Sequence, residues 1–283
     1  MSYTIRLLKL LISICCYLVD SFRRMFGLPC RSGPTILYYH SVSAGEVARF
    51  RAQMDVLSRL AKPVALRDLL PVGDDARLVS VTFDDGFANL LSNVFPELSR
   101  LGIPATFFVV SGFLGQRPGW VEGWESDAGE CLLDQEQLRE LAASGLITIG
   151  SHTVNHPHLT NVSPAVAETE IRQSKADLES ILQRKVDYLS FPYGSFSSVH
   201  VVLAKKAGYR EVLAAQGPCA NAAAECYQAV KRIRVDPFNW PIEFRLKVLG
   251  AYRWLHTAAS AKRRMKMFGA GCDMKTGSGL SPQ

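Results

Sequence analysis

The sequence contains no Cys-x-x-C pair: its seven cysteines are the vicinal Cys15 and Cys16 and the scattered Cys30, Cys131, Cys219, Cys226 and Cys272. An odd, unpatterned set argues against a disulfide framework or a structural zinc site and favours a reducing compartment. Internal repeats and low-complexity tracts are also missing, which removes solenoids and disordered linkers from consideration. Charged residues make up only 20% against 48% hydrophobic ones, so a chain of 283 residues can bury a sizeable core as one globular domain with appendages.

No uninterrupted apolar run reaches the roughly 20 residues of a membrane span. The longest candidate, Leu7 to Val19, is broken by Lys9 and flanked by arginines. No small-x-small cleavage site follows it, and Asp20 to Arg24 is poor context for one. An interfacial or anchoring helix is therefore expected over a cleaved signal or a plain buried helix. The net charge of +6 is concentrated at the ends, in Arg6, Lys9, Arg23, Arg24 and the run Lys262 to Arg264. Basic clusters beside apolar residues suit an anionic membrane surface, whereas no motif supports nucleic-acid binding. The expected location is cytoplasmic or membrane-associated, with the periplasm open, and the oligomeric state is not legible.

Three runs are β-rich: Thr35 to His40, Leu78 to Phe83, which leads straight into Asp84-Asp85-Gly86, and Ala105 to Val110. Between them Leu90, Leu91, Val94, Leu98 and Leu101 repeat at helical spacing over Asn89 to Leu101. Asp134, with Gln137 as its capping-box partner, starts a helix that Gly145 ends, and Leu146 to Gly150 follows as a strand. Helices over Pro164 to Leu182 and Ser197 to Ala207 frame a short strand at Tyr188 to Phe191, and Glu211 to Ala215 is another strand. Such alternation predicts an α/β fold with a parallel, barrel-like sheet and functional residues at strand C-terminal ends. Residues 1–30 form a basic apolar segment, 31–240 the domain, and 241–283 a C-terminal amphipathic helix, Pro241 to about Arg264, with a basic tail. The insert from Gly112 to Leu133 carries Trp120, Trp124, Glu122, Glu125 and Asp127, a composition that suits either a sugar-binding lip or a packed surface loop.

Two stretches carry chemistry. In Thr82-Phe83-Asp84-Asp85-Gly86, adjacent carboxylates leave an extended backbone in different directions, so one can ligate a metal while the other stays free as a base. Asp-Asp-Gly is also ordinary turn chemistry. In Ser151-His152-Thr153-Val154-Asn155-His156-Pro157-His158, half of the six histidines crowd into seven residues beside a strand end. Two imidazoles and a carboxylate form a facial triad with open positions, and Asp85, His152 and His156 supply that set. Zinc is the expected ion, with iron, cobalt or nickel as alternatives. His158 is the reserve ligand, directed elsewhere by Pro157.

These two motifs, followed by Phe191-Pro192-Tyr193-Gly194, occur in an order that resembles the NodB-homology polysaccharide deacetylases over roughly residues 35 to 240. The resemblance implies a distorted (β/α) barrel, Asp84 as general base, and Asp85, His152 and His156 as metal ligands. It implies an oxyanion contact from the Tyr193 N–H next to Pro192. The family's usual arginine two residues before that proline is Ser190 here, so something else must orient Asp84. The late Leu-x-His strand is not evident either, and His256 reads as a helix residue. Resemblance to the poly-N-acetylglucosamine subset makes His40, in Tyr38-Tyr39-His40, the expected general acid. Arg234 to Trp240 resembles a further family motif, which makes Asp236 the partner of His40 and Trp240 an acetyl-pocket wall. The implied activity is metal-dependent removal of N-acetyl groups from an amino sugar of a polysaccharide or lipid-linked saccharide, in exopolysaccharide or envelope glycan synthesis. The alternatives are a deformylase acting on a lipid-linked sugar and an inactive carbohydrate-binding relative.

Overall fold

The computed structural model describes residues 3–28, 34–69, 78–120, 130–214 and 229–256. The chain begins with helix α1 (Tyr3–Met25) and enters the sheet at β1 (Thr35–Tyr39). Helix α2 (Val47–Leu60), strand β2 (Lys62–Pro63) and a single turn α3 (Leu66–Leu69) precede β3 (Leu78–Phe83). The crossover to β4 (Ala105–Val109) runs through a π-turn at Leu90–Val94 and α4 (Phe95–Leu101). Pro96 has no N–H to continue the helical ladder, so the expected helix divides at this point.

Beyond β4 the expected alternation holds. Helix α5 (Gln135–Ala143) starts at the Asp134–Gln137 capping box, with the Gln137 N–H donating to Asp134 Oδ1 at 2.9 Å. Strand β5 (Ile147–Ser151), helix α6 (Pro164–Leu182), strand β6 (Tyr188–Phe191), helix α7 (Ser198–Lys206) and strand β7 (Glu211–Ala214) follow. Two short strands, β8 (Val230–Lys231) and β9 (Ile233–Arg234), and helix α8 (Pro241–Val248) end the described elements.

Every strand pairing is parallel, in the order β8-β7-β6-β5-β4-β3-β1-β9, with β2 beside β3. Residues 230–231 pair with β7, and residues 233–234 pair with β1. Five consecutive residues thus join the two ends of the sheet and bring it to a nearly closed barrel, with Arg232 at the seam. Apolar strand residues such as Val79, Val81, Phe83, Phe107 and Val109 are wholly buried against the surrounding helices, as a sheet covered on its faces requires.

The C-terminal helix departs from expectation. It ends at Val248, not near Arg264, because Gly250 takes a left-handed φ of 75°. The Gly250 N–H donates to Lys247 O and the Ala251 N–H to Leu246 O, a helix-stop geometry that glycine adopts without steric cost. Residues 257–264 of the expected helix, the basic tail, and Glu122, Trp124, Glu125 and Asp127 lie outside the described residues.

Candidate active site

The mouth of the barrel is built from the C-terminal ends of β1, β3, β5 and β6. Strand β3 delivers Asp84 and Asp85, and Gly86 then turns the chain at φ 81°, where an added Cβ would run into Val109. Strand β5 is held open at Gly150, where a Cβ would stand 2.6 Å from the Phe108 ring, and its end leads into His152 and His156. Asp84, Asp85, His152 and His156 are all buried.

The three expected metal ligands converge. His156 Nε2 lies 3.2 Å and His152 Nε2 3.6 Å from Asp85 Oδ1, and the candidate ligand atoms all fall within 4.8 Å of one another. His152 Nδ1 is 2.7 Å from Ser190 O, so its N–H donates there and the Nε2 lone pair is left facing Asp85. Burial, the largest influence, pushes the His152 imidazole down to about 4, which keeps it neutral and able to ligate. Burial alone would raise the Asp85 carboxyl, but His156, His40 and His152 outweigh it and hold it well below the usual carboxylate range. A borderline divalent cation fits this set of two imidazoles and one carboxylate, and would be held by Asp85, His152 and His156.

The backbone around this set is strained. Among described non-glycine residues, positive φ occurs at Asp85 (68°), Thr153 (70°), His156 (57°), Gln183 (51°) and Tyr193 (57°), and four of these five belong to the site. Such conformations cost on the order of 1–3 kcal/mol each and persist only where surrounding bonds fix them. Glu170 of α6 supplies that fixation for the histidine loop. Its carboxylate accepts from the Val154 N–H at 2.9 Å, the Asn155 N–H at 2.8 Å and Asn155 Nδ2 at 2.6 Å.

Asp84 faces the other way, into the barrel. Arg232 fills the place that Ser190 leaves open: Nη1 donates to Asp84 Oδ1 at 2.8 Å and Nη2 to Asp84 Oδ2 at 2.7 Å. The same guanidinium donates to Ser190 Oγ at 2.7 Å and to Thr82 Oγ1 at 3.0 Å, and it lies 4.8 Å from the Tyr38 ring centroid. Arg232 is 0% exposed, so the ion pair is fully desolvated and bidentate. Burial would raise the Asp84 carboxyl, but Arg232, with His152 and His40 behind it, holds it below the usual range. A carboxylate has about four lone-pair directions, and the fork uses two of them, leaving others to accept a proton.

His40 follows β1 directly, and its electrostatic influence on both aspartates places it at the same mouth. Its ring centroid lies 5.7 Å from that of Tyr38. Tyr193, in the turn after Pro192, sets its ring against His156 (4.6 Å) and His158 (3.7 Å). His158 thus stacks on tyrosine and stands outside the converging ligand set. Trp120, from the Gly112 to Leu133 insert, stacks on His156 at 4.4 Å and covers the imidazole from another side.

Asp236 and Trp240 follow the end of β9. Asp236 Oδ1 accepts the Phe238 N–H and caps its own turn. The Trp240 ring meets Tyr3 edge-on at 5.4 Å and carries the Arg6 guanidinium at 4.2 Å, so it belongs to the contact between α1 and α8.

The comparisons with known proteins agree with this geometry. Residues 72–212 match the family model of the polysaccharide deacetylases. The Bacillus subtilis protein YxkH, assigned by name to the polysaccharide deacetylases, is 27% identical over 213 residues, 71% of each chain. The poly-beta-1,6-N-acetyl-D-glucosamine N-deacetylase of Staphylococcus aureus is 25% identical over 142 residues, and the match spans 47% of this chain and 46% of the relative. The solved structure of IcaB from Ammonifex degensii superposes with a TM-score of 0.63 at 25% identity, covering 77% of this chain and 97% of IcaB. The chain belongs to the polysaccharide deacetylase family of hydrolases.

Proposed function

We propose that this enzyme removes N-acetyl groups from the amino sugars of a polysaccharide, using a divalent ion, zinc by preference, held by Asp85, His152 and His156. The observation that carries the reading is the pairing of a converged ligand triad with a second, arginine-held carboxylate one residue away. A bound divalent cation supplies Lewis acidity toward the acetamide carbonyl. Asp84, kept ionised by Arg232, accepts the proton of the attacking water, and the Arg232 fork fixes the direction from which it does so. The Tyr193 N–H supports the developing oxyanion from the turn after Pro192. His40, at the end of β1 beside the β3 strand that carries Asp84, donates the proton that lets the amine leave. Arg232 removes one of the two reasons for expecting an inactive relative, the missing arginine at position 190; the other, the identity of the acid, turns on His40.

The substrate class rests on the Staphylococcus aureus relative, whose name specifies poly-beta-1,6-N-acetyl-D-glucosamine. A formylated lipid-linked sugar is the competing substrate, and release of formate instead of acetate would indicate it. The test is acetate release from an acetylated β-1,6-glucosamine oligomer before and after chelation, with metal content measured in parallel. Chelation should abolish release, and zinc should restore it. A metal-loaded protein that releases no acetate from any N-acetylated glycan would overturn the reading, and an unchanged rate in His40→Ala would remove His40 from its role.

A further inference from the structure

Helix α1 presents apolar residues on both of its faces. The inner face is bonded to the barrel: Arg6 pairs with Glu243 at 2.7 Å, Trp254 Nε1 donates to Ser13 Oγ at 2.9 Å, and Leu10, Ile14 and Tyr17 pack against the core. The outer face carries Leu8 (57% exposed), Leu11 (59%), Leu18 (59%), Phe22 (57%) and Met25 (71%), with exposed Cys15 between Leu11 and Leu18. These positions recur every three or four residues and form one stripe about 25 Å long on a 23-residue helix. A surface helix of a globular protein ordinarily turns polar side chains outward, and a continuous apolar patch marks an interaction site.

Charge identifies the occupant. Besides Arg6, which Glu243 neutralises, the helix carries Lys9, Arg23 and Arg24 against the single acid Asp20, and the whole chain is +6. Two copies joined through this stripe would bring like charges together, whereas an anionic lipid surface complements them. No helix among the described residues is long and apolar enough to cross a membrane. With its inner face bonded to the barrel, α1 is arranged to lie in the plane of the interface.

The orientation follows from its contacts. Tyr3 and Arg6 touch Trp240, which follows the C-terminal end of β9, the end that bears the site. Near the other end of the helix, Asp20 acts electrostatically on Arg253, whose Nη2 donates to Thr35 Oγ1 at the start of β1. Helix α1 therefore runs antiparallel to β1, alongside the barrel. We propose that the outer face of α1 lies in the surface of an anionic lipid bilayer and holds the barrel on its side, so that the catalytic mouth opens along the membrane plane. The orientation of the mouth rests on the functional reading above, whereas the lipid contact does not.

The full-length protein should sediment with vesicles of phosphatidylcholine and phosphatidylglycerol about tenfold more strongly than with phosphatidylcholine alone, and salt should weaken the binding. The triple variant Leu11→Ser, Leu18→Ser, Phe22→Ser should remain in the supernatant with an unchanged circular dichroism spectrum and melting temperature. Arg23→Gln with Arg24→Gln should lose the preference for anionic vesicles while keeping weak binding. The proposal is overturned if the wild type stays in solution with both vesicles, or if the triple variant sediments like the wild type. It is also overturned if analytical ultracentrifugation shows a lipid-free dimer that the triple variant splits, which would assign the stripe to a second copy. Acetate release from a soluble oligomer, measured on the same samples, separates failure of this proposal from failure of the functional one.

Discussion

Asp84 and Asp85 are neighbours in the chain, yet each belongs to a different region of the barrel mouth. Asp85 turns toward two imidazoles in a strained loop, a ligand set that would suit a divalent cation. Asp84 turns toward a guanidinium inside the barrel, where the charge is already balanced. Burial acts on both carboxyls in the same direction, and both end below their usual range, but for different reasons. One side of the mouth offers a ligand set that a cation would complete, and the other carries its own counter-charge.

The largest effects should come from crossing that boundary. His152→Ala should lose stoichiometric metal and bring acetate release to background, whereas Asp84→Asn should keep the metal and lose about 10²–10⁴-fold in turnover, as expected for a displaced base. Metal analysis beside the kinetics checks both, and loss of metal in Asp84→Asn would erase the distinction between the two sides.

The next effect sharpens the arginine side. Arg232→Ser leaves the Asp84 charge buried and unpaired and should cost about 3–5 kcal/mol of stability, read from denaturant unfolding. Adding Ser190→Arg returns a guanidinium from the neighbouring position whose hydroxyl already accepts from Arg232, and should recover part of both stability and rate. A double variant no better than Arg232→Ser would show that the seam strand is needed for more than its charge.

The smallest effect concerns pH in metal-free protein. The folded-state value of His152 is about 4 against an ordinary 6.5, so between these values the unfolded chain binds the extra proton and the folded chain does not. This contribution is present in full above about pH 6.5 and is lost as pH falls toward 4. It amounts to about 3 kcal/mol. The two aspartates, both depressed, add their own loss only below the ordinary carboxylate range, near pH 4. Melting temperature in chelator should therefore fall from about pH 6.5 to about pH 4 in the wild type, and more shallowly in His152→Gln.

The ligand side of the site was legible because its residues lie in two short motifs, each at a strand end, where local spacing carries the meaning. The arginine side was not. Arg232 lies 148 residues from Asp84, in a stretch, Val230 to Val235, whose other cations face outward. Its only trace in the sequence was indirect: Ser190 stands where an arginine was expected, and a buried base needs a counter-charge. Strands of the barrel were readable from apolar runs, and α6 from its period and its Ser163-Pro164 start. Helix α2 was missed although Phe50, Met54 and Leu57 have helical spacing and are wholly buried. The length of α8 was misjudged because its period continued past Gly250, whose conformation ends the helix. Trp240 matched a motif loosely, but its position at the start of α8 points the ring toward α1.

The seam at residues 230–234 divides the site by chain position. Residues 35 to 214 contain both aspartates and both imidazoles, and with them the whole candidate ligand set. The counter-charge of Asp84 comes from beyond them, at Arg232, where the last two short strands bridge β7 and β1. Closure of the ring and the ion pair of Asp84 therefore depend on the same five residues.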